Sequence, residues 1–101
     1  MPFPGSPAAD ITVAVSSPLR DFCGGEAEIR VRAPDLRALL VELERSQPRL
    51  HRAICDETGR MRRHVNLFIN ELHMSERGGL DATLAPGDVV TILPAVSGGK
   101  T

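Results

Sequence analysis

The sequence predicts an α+β roll, with strands packed in two layers around one main helix. Three observations lead there. Apolar residues alternate with period two in a pair of N-terminal segments and again towards the C-terminus; one intervening segment carries apolar residues at helical spacing; and proline or glycine stands at almost every boundary. At 101 residues, with 42% hydrophobic and 25% charged residues, the chain has the composition of one soluble globular domain. The expected organisation is a frayed leader over 1–9, a folded domain over 10–97 and a flexible tail over 98–101.

Three of the eight prolines fall within "MPFPGSP", so regular structure is expected to begin near Asp10. "DITVAVS" alternates Ile11, Val13 and Val15 against Thr12 and Ala14, the pattern of a half-buried strand. "SSPLRDFCGG" reads as a loop. "EAEIRVR" alternates again, with Ala27, Ile29 and Val31 expected inward and Glu28, Arg30 and Arg32 outward, so the two strands form a hairpin.

The period then changes. Leu36, Leu39, Leu40 and Leu43 follow i, i+3, i+4, i+7 and share one helical face. Pro34 suits a first turn, Asp35 favours the positive end of the helix dipole and Pro48 stops the run, which predicts a helix over about 35–46. Leu50 and Ile54 fit a short helical turn, and "DETG" a loop. "HVNLFINE" places Val65, Leu67 and Ile69 inward and Asn66, Phe68 and Asn70 outward, and "LHM" reads as a short strand after an Asn70-Glu71 turn. "SERGGLDATLAPGD" is rich in turn residues, and its "PGD" leads into a last strand with Val90 and Ile92 on one face and Val89, Thr91 and Leu93 on the other.

Composition also excludes function classes. The chain has no Trp or Tyr and only three Phe, which leaves little for stacking bases, and a net charge of −1 gives no global attraction to nucleic acid or to an anionic membrane. No apolar run approaches the roughly 20 residues of a membrane span, and the N-terminus lacks the pattern of a signal peptide, so a cytoplasmic location is expected. Cys23 and Cys55 form no CxxC and are expected to stay reduced. His51 and Cys55 are four apart, but a closed metal site needs more ligands than His64, His73 and Cys23 supply at compatible spacing, so no bound metal is expected. "RMRRH" (60–64) reads mainly as a solvated loop, with nucleic acid or an acidic patch on a partner as alternatives. No nucleophile and base can be placed together, and no enzymatic activity is assigned.

The ending "PAVSGGKT" approximates a phosphate-binding loop, with Gly99, Lys100 and Thr101 in register. Pro94 occupies the first glycine position and lacks the N–H a phosphate needs, and no helix can open after Thr101 in the given sequence. The first two glycine pairs, at 24–25 and 78–79, read as turns. The pair Gly98-Gly99 connects no two elements, and a dipeptide without side chains after a strand suits entry into a narrow channel of another protein.

"HVNLFINE", "GGLDATLAPGDVVTILPAVSGG" and the hairpin-helix order before them resemble the ubiquitin-like sulfur-carrier family of MoaD and ThiS, above all its CysO-like, cysteine-forming branch. The resemblance covers roughly residues 10–99 and is most specific in the C-terminal segment. It implies a β-grasp fold, a mixed sheet of four to five strands packed on one main helix. It also implies that an E1-like adenylyltransferase, using ATP and Mg, activates the carboxylate of Gly99, that a sulfur donor displaces AMP to leave a thiocarboxylate, and that a sulfur-accepting biosynthetic enzyme consumes it. No cofactor is implied on the chain itself. Gly98 would keep the approach narrow.

Lys100 and Thr101 place the Gly99 carbonyl in a peptide bond, so the resemblance implies removal of both by a JAMM-type metalloprotease cutting between Gly99 and Lys100. Phe68 and Leu93, both on the outward phase of their strands, are expected to contact partners. Two alternatives remain open: a ubiquitin-like modifier joined through Gly99 to lysines of targets, and a non-covalent β-grasp interaction module.

Overall fold

A computed structural model describes residues 9–94. The first strand, β1 (Ala9–Val15), pairs antiparallel with β2 (Glu28–Ala33), Val13 lying opposite Ile29 and Ile11 opposite Val31. The alternation predicted both strands, but β2 starts later than expected. Ala27, expected to face inward, is exposed ahead of the strand, and Ala33 takes the inward position at the other end instead. The segment between them is also more regular than a loop. Ser17–Cys23 forms a 3-10 helix with Pro18 in its first turn, ended by Gly24 at φ 71°, a conformation that glycine adopts without strain.

Helix α1 (Leu36–Ser46) follows. Asp35 is its N-cap, accepting a 2.8 Å hydrogen bond from the Ala38 N–H, so Pro34 lies just before the helix and not in its first turn. Leu36, Leu39, Leu40 and Leu43 are all buried, as their spacing predicts, and each such side chain contributes about 1.5–3 kcal/mol relative to exposure. Pro48 does stop α1, but it also opens α2 (Pro48–Ile54), where a missing N–H costs nothing. Leu50, His51 and Ile54 of α2 are buried, so a second, shorter helix joins the main one over the sheet.

β3 (Val65–Ile69) buries Val65, Leu67 and Ile69. Asn70 then turns the chain at φ 56°, in the left-handed region that asparagine tolerates, into the two-residue β4 (Leu72–His73). The Asn70 side chain also ties this turn to the start of β5 (Val89–Pro94). Its Oδ1 accepts from the Val89 N–H at 3.0 Å, and its Nδ2 donates to Asp88 Oδ1 at 3.1 Å.

Two further 3-10 helices, Met74–Arg77 and Gly79–Asp81, occupy the turn-rich stretch. After them Ala82 and Leu84 are buried against the entrance of α1, where the Leu36 N–H donates to the Ala82 carbonyl and the Leu84 N–H to the Pro34 carbonyl, both at 3.0 Å. Ala85-Pro86-Gly87-Asp88 closes a tight turn, the Asp88 N–H donating to the Ala85 carbonyl at 3.0 Å and Gly87 taking φ 89°.

The sheet order is β2-β1-β5-β3-β4. β5 lies at the centre, parallel to β1 and antiparallel to β3, which makes the sheet mixed and the architecture a β-grasp roll. Its inner face and the two helices enclose the core. β5 is therefore held by β1 as far as Ile92 and by β3 as far as Pro94, so the strand that precedes the tail lies in the middle of the sheet and not at an edge.

Candidate functional site: the outer sheet face beside the C-terminal tail

Gly98, Gly99 and Lys100, where the sequence places the chemistry, lie outside the described residues. What the structure gives is the surface from which they depart. Registers across all five strands align one row of outward side chains: Glu28, Ala14, Thr91, Phe68 and His73 stand opposite one another in turn. Towards the tail, Leu93 faces Asn66; away from it, Val89 faces Thr12, and Thr12 faces Arg30. The middle of this face is thus an uncharged, largely apolar strip of Ala14, Val89, Thr91, Phe68 and Leu93, with charged side chains on β2 and at Asp10 of β1, which pairs with Arg32 at 3.1 Å. No described helix lies over it.

Phe68 and Leu93, singled out by strand phase, meet on this one face. Leu93 is 38% exposed. Phe68 is half-buried, because its ring meets the His73 ring edge-on, with centroids 5.3 Å apart and planes at 89°. His73 is itself held. Its Nδ1 accepts from the Ser75 backbone N–H at 3.1 Å, which leaves the proton of the neutral ring on Nε2, 3.0 Å from Asn66 Oδ1.

This Phe68–His73–Asn66 arrangement escaped the sequence reading, which considered His73 only as a metal ligand. The available signal was the "LHM" strand after the Asn70 turn, since a hairpin there must set His73 opposite Phe68.

The remaining candidates do not converge. His51 and Cys55 are both buried and share only the backbone bond from the Cys55 N–H to the His51 carbonyl, at 2.7 Å. Among the described residues no cluster of three or more His, Cys, Asp or Glu is arranged to hold a metal ion. Cys23 and Cys55 are free and buried, and burial pushes both thiols above their ordinary pKa, away from reactive thiolate. Arg60, Arg62 and Arg63 are exposed. Among the described residues, no helix is long and apolar enough to cross a membrane.

Residues 13–99 match the ThiS family, and the match runs through the glycine pair. The chain belongs to the ThiS family. Within that family it is 34% identical over 92 residues to the sulfur carrier protein CysO of Mycobacterium tuberculosis, an alignment covering 89% of this chain and 99% of that one. Its fold is similar to CysO in the solved BexX/CysO complex of Amycolatopsis orientalis, with a TM-score of 0.78 at 29% identity over 88% of this chain and 99% of that one. It is also similar to the small archaeal modifier protein 1 of Methanosarcina acetivorans, with a TM-score of 0.81 at 26% identity over 91% and 98% of the two chains. These likenesses agree with the β-grasp architecture and with the ThiS/MoaD-type resemblance of the C-terminal segment.

Proposed function

We propose that this ThiS-family chain is a sulfur carrier, a protein co-substrate that partner enzymes activate at Gly99. The observation that carries the reading is the family match extending to residue 99, taken with the homology to a sulfur carrier protein along nearly its whole length. The central position of β5 supports it. That strand is held by β1 as far as Ile92 and by β3 as far as Pro94, which gives the tail a fixed root.

The chemistry follows from Gly99. Water first cleaves the Gly99–Lys100 peptide bond, in the active site of a JAMM-type metalloprotease, releasing Lys-Thr and leaving a free carboxylate. That carboxylate is a poor electrophile. In the activating enzyme, with ATP and Mg bound there, one of its oxygens attacks the α-phosphorus and displaces pyrophosphate. A hydrosulfide equivalent then attacks the acyl carbon, AMP departs with the carboxylate oxygen, and the product is a thiocarboxylate with its proton lost to solvent. Glycine at both 98 and 99 leaves no Cβ to obstruct that approach. A biosynthetic enzyme then accepts the sulfur, and the CysO homology favours a cysteine-forming one.

Phe68 and Leu93 contribute binding. The apolar strip docks on the activating enzyme and delivers the tail, and the BexX/CysO complex is a relative's example of such a carrier meeting a partner protein. A second reading, conjugation of Gly99 to lysines of other proteins, is favoured only by the likeness to an archaeal modifier protein. The test is ATP–pyrophosphate exchange with the cognate activating enzyme, using the full chain and a chain ending at Gly99. Exchange is expected with the shortened chain alone, and exchange with the full chain would contradict the processing step.

A further inference from the structure

A second aromatic, Phe22, stands near the end of β1, away from the outer face, and is more exposed than the half-buried Phe68. The 3-10 helix Ser17–Cys23 follows β1 closely, and Val15, the last residue of β1, pairs with Ile92 of β5. The helix is pinned there by Arg20, whose Nε donates to the Val15 carbonyl at 2.9 Å, and it packs against α2. On it Phe22 is 39% exposed. With Arg49, Arg52 and Ala53 of α2, Phe22 lines a concavity of about 210 Å³.

Both arginines are solvent-exposed, and among the described residues neither side chain makes an ion pair or a hydrogen bond. A third guanidinium is drawn to the same end of α2, because Arg62 Nε donates to the Arg52 carbonyl at 3.1 Å.

We propose that Phe22, Arg49 and Arg52 form a second docking surface, which takes a short acidic segment of the activating enzyme. The proposal rests on the sulfur-carrier reading for the identity of that partner. The chemistry is complementary. Guanidinium groups are weakly hydrated and pair bidentately with carboxylates, and an aromatic ring beside them supplies apolar area at little entropic cost.

The patch is also short. Asp21 precedes Phe22 in the same 3-10 helix, and the adjoining hollow, which Arg52 also lines, carries Glu44, Asp56 and Glu57. Duplex DNA carries a charge about every 1.7 Å of axis, so it would lay phosphates on these carboxylates, whereas a few acidic residues fit between them. Engaging this patch together with the outer face would hold the chain on two sides of β5 and fix the line along which the tail enters the enzyme.

The variant R49E/R52E tests it. Both side chains are exposed, and the bond from Arg62 goes to the Arg52 backbone, so the fold does not depend on them. In ATP–pyrophosphate exchange, with variant and wild-type chains both ending at Gly99, the KM for the variant is expected to rise about tenfold with kcat unchanged, and the salt dependence of kcat/KM to flatten. F22A is expected to raise KM without altering the salt dependence.

In parallel, a short Asp/Glu peptide titrated into the labelled full chain is expected to shift the amide resonances of Phe22, Arg49 and Arg52, and to shift them less in the variant. An unchanged KM, or amides that the peptide leaves unmoved, overturns the proposal, as does a single-stranded oligonucleotide of equal charge binding more tightly than the peptide. A chain of wild-type sequence ending at Gly99 that supports no exchange contradicts the sulfur-carrier reading instead, and the titration then still decides whether the surface binds an acidic segment.

Discussion

On the inner face of the sheet Ile11, Val13, Leu67, Ile69, Val90 and Ile92 are fully buried, while on the outer face of the same strands Ala14, Val89, Thr91 and Phe68 are half-covered and Leu93 is exposed. The inner side chains are closed over by α1 and α2. The outer strip has only the edge-on His73 ring and its own neighbours. Two faces built by one alternating pattern are thus covered to different extents. Burial on the inner side accounts for the fold, whereas an uncharged strip left open on the outer side, next to the exit of the tail, is what a partner-binding face requires.

Substitutions on the two faces should separate these roles. The largest effect is expected inside, where Leu67→Ala should cost about 2–5 kcal/mol in stability, read from a urea unfolding curve, because the cavity lies in a core closed on all sides. On the outer face Phe68→Asp should cost only about 1 kcal/mol, chiefly the lost edge-on contact with His73, yet lower kcat/KM for activation at least tenfold. A Phe68→Asp chain activated like wild type would leave the strip as ordinary surface.

Away from both faces, Asp35→Ala should lower stability by about 1 kcal/mol by removing the α1 cap, with activation unchanged. The smallest effect concerns Asp56, whose carboxylate is held below its ordinary pKa first by the Thr58 hydroxyl, partly offset by desolvation, and then by the backbone N–H groups of Thr58 and Arg60. A depressed folded-state pKa contributes stability that is present above the unfolded carboxylate value and lost as pH falls through the folded one. The difference in urea midpoint between wild type and Asp56→Ala should therefore be present at neutral pH and vanish in acid.

The sequence disclosed this division unevenly. Alternation placed Val65, Leu67 and Ile69 inward and Phe68 and Leu93 outward, because strand phase needs only neighbouring residues. Asp35, Pro48 and the four leucines bounded α1 for the same local reason. The 3-10 helix at Ser17–Cys23 gives no such signal, since so few turns establish no period, and Ala27 continued an alternation that the pairing of β1 with β2 had already ended.

Partners are harder still. Nothing in the alternation of β5 says that it lies between β1 and β3, so the row joining Thr91, Phe68 and His73, and the hold of Asn66 and Ser75 on His73, emerge only once the strands are ordered. The Phe22 patch is of the same kind, its members lying on segments separated in sequence and joined by packing.

Intact-mass analysis of the protein isolated from its own cells tests the central claim most directly. The account predicts a chain ending at Gly99, without Lys100 and Thr101, in which one carboxylate oxygen has been replaced by sulfur. A chain that keeps Lys100 and Thr101 throughout, or one recovered only as conjugates on the lysines of other proteins, would contradict it.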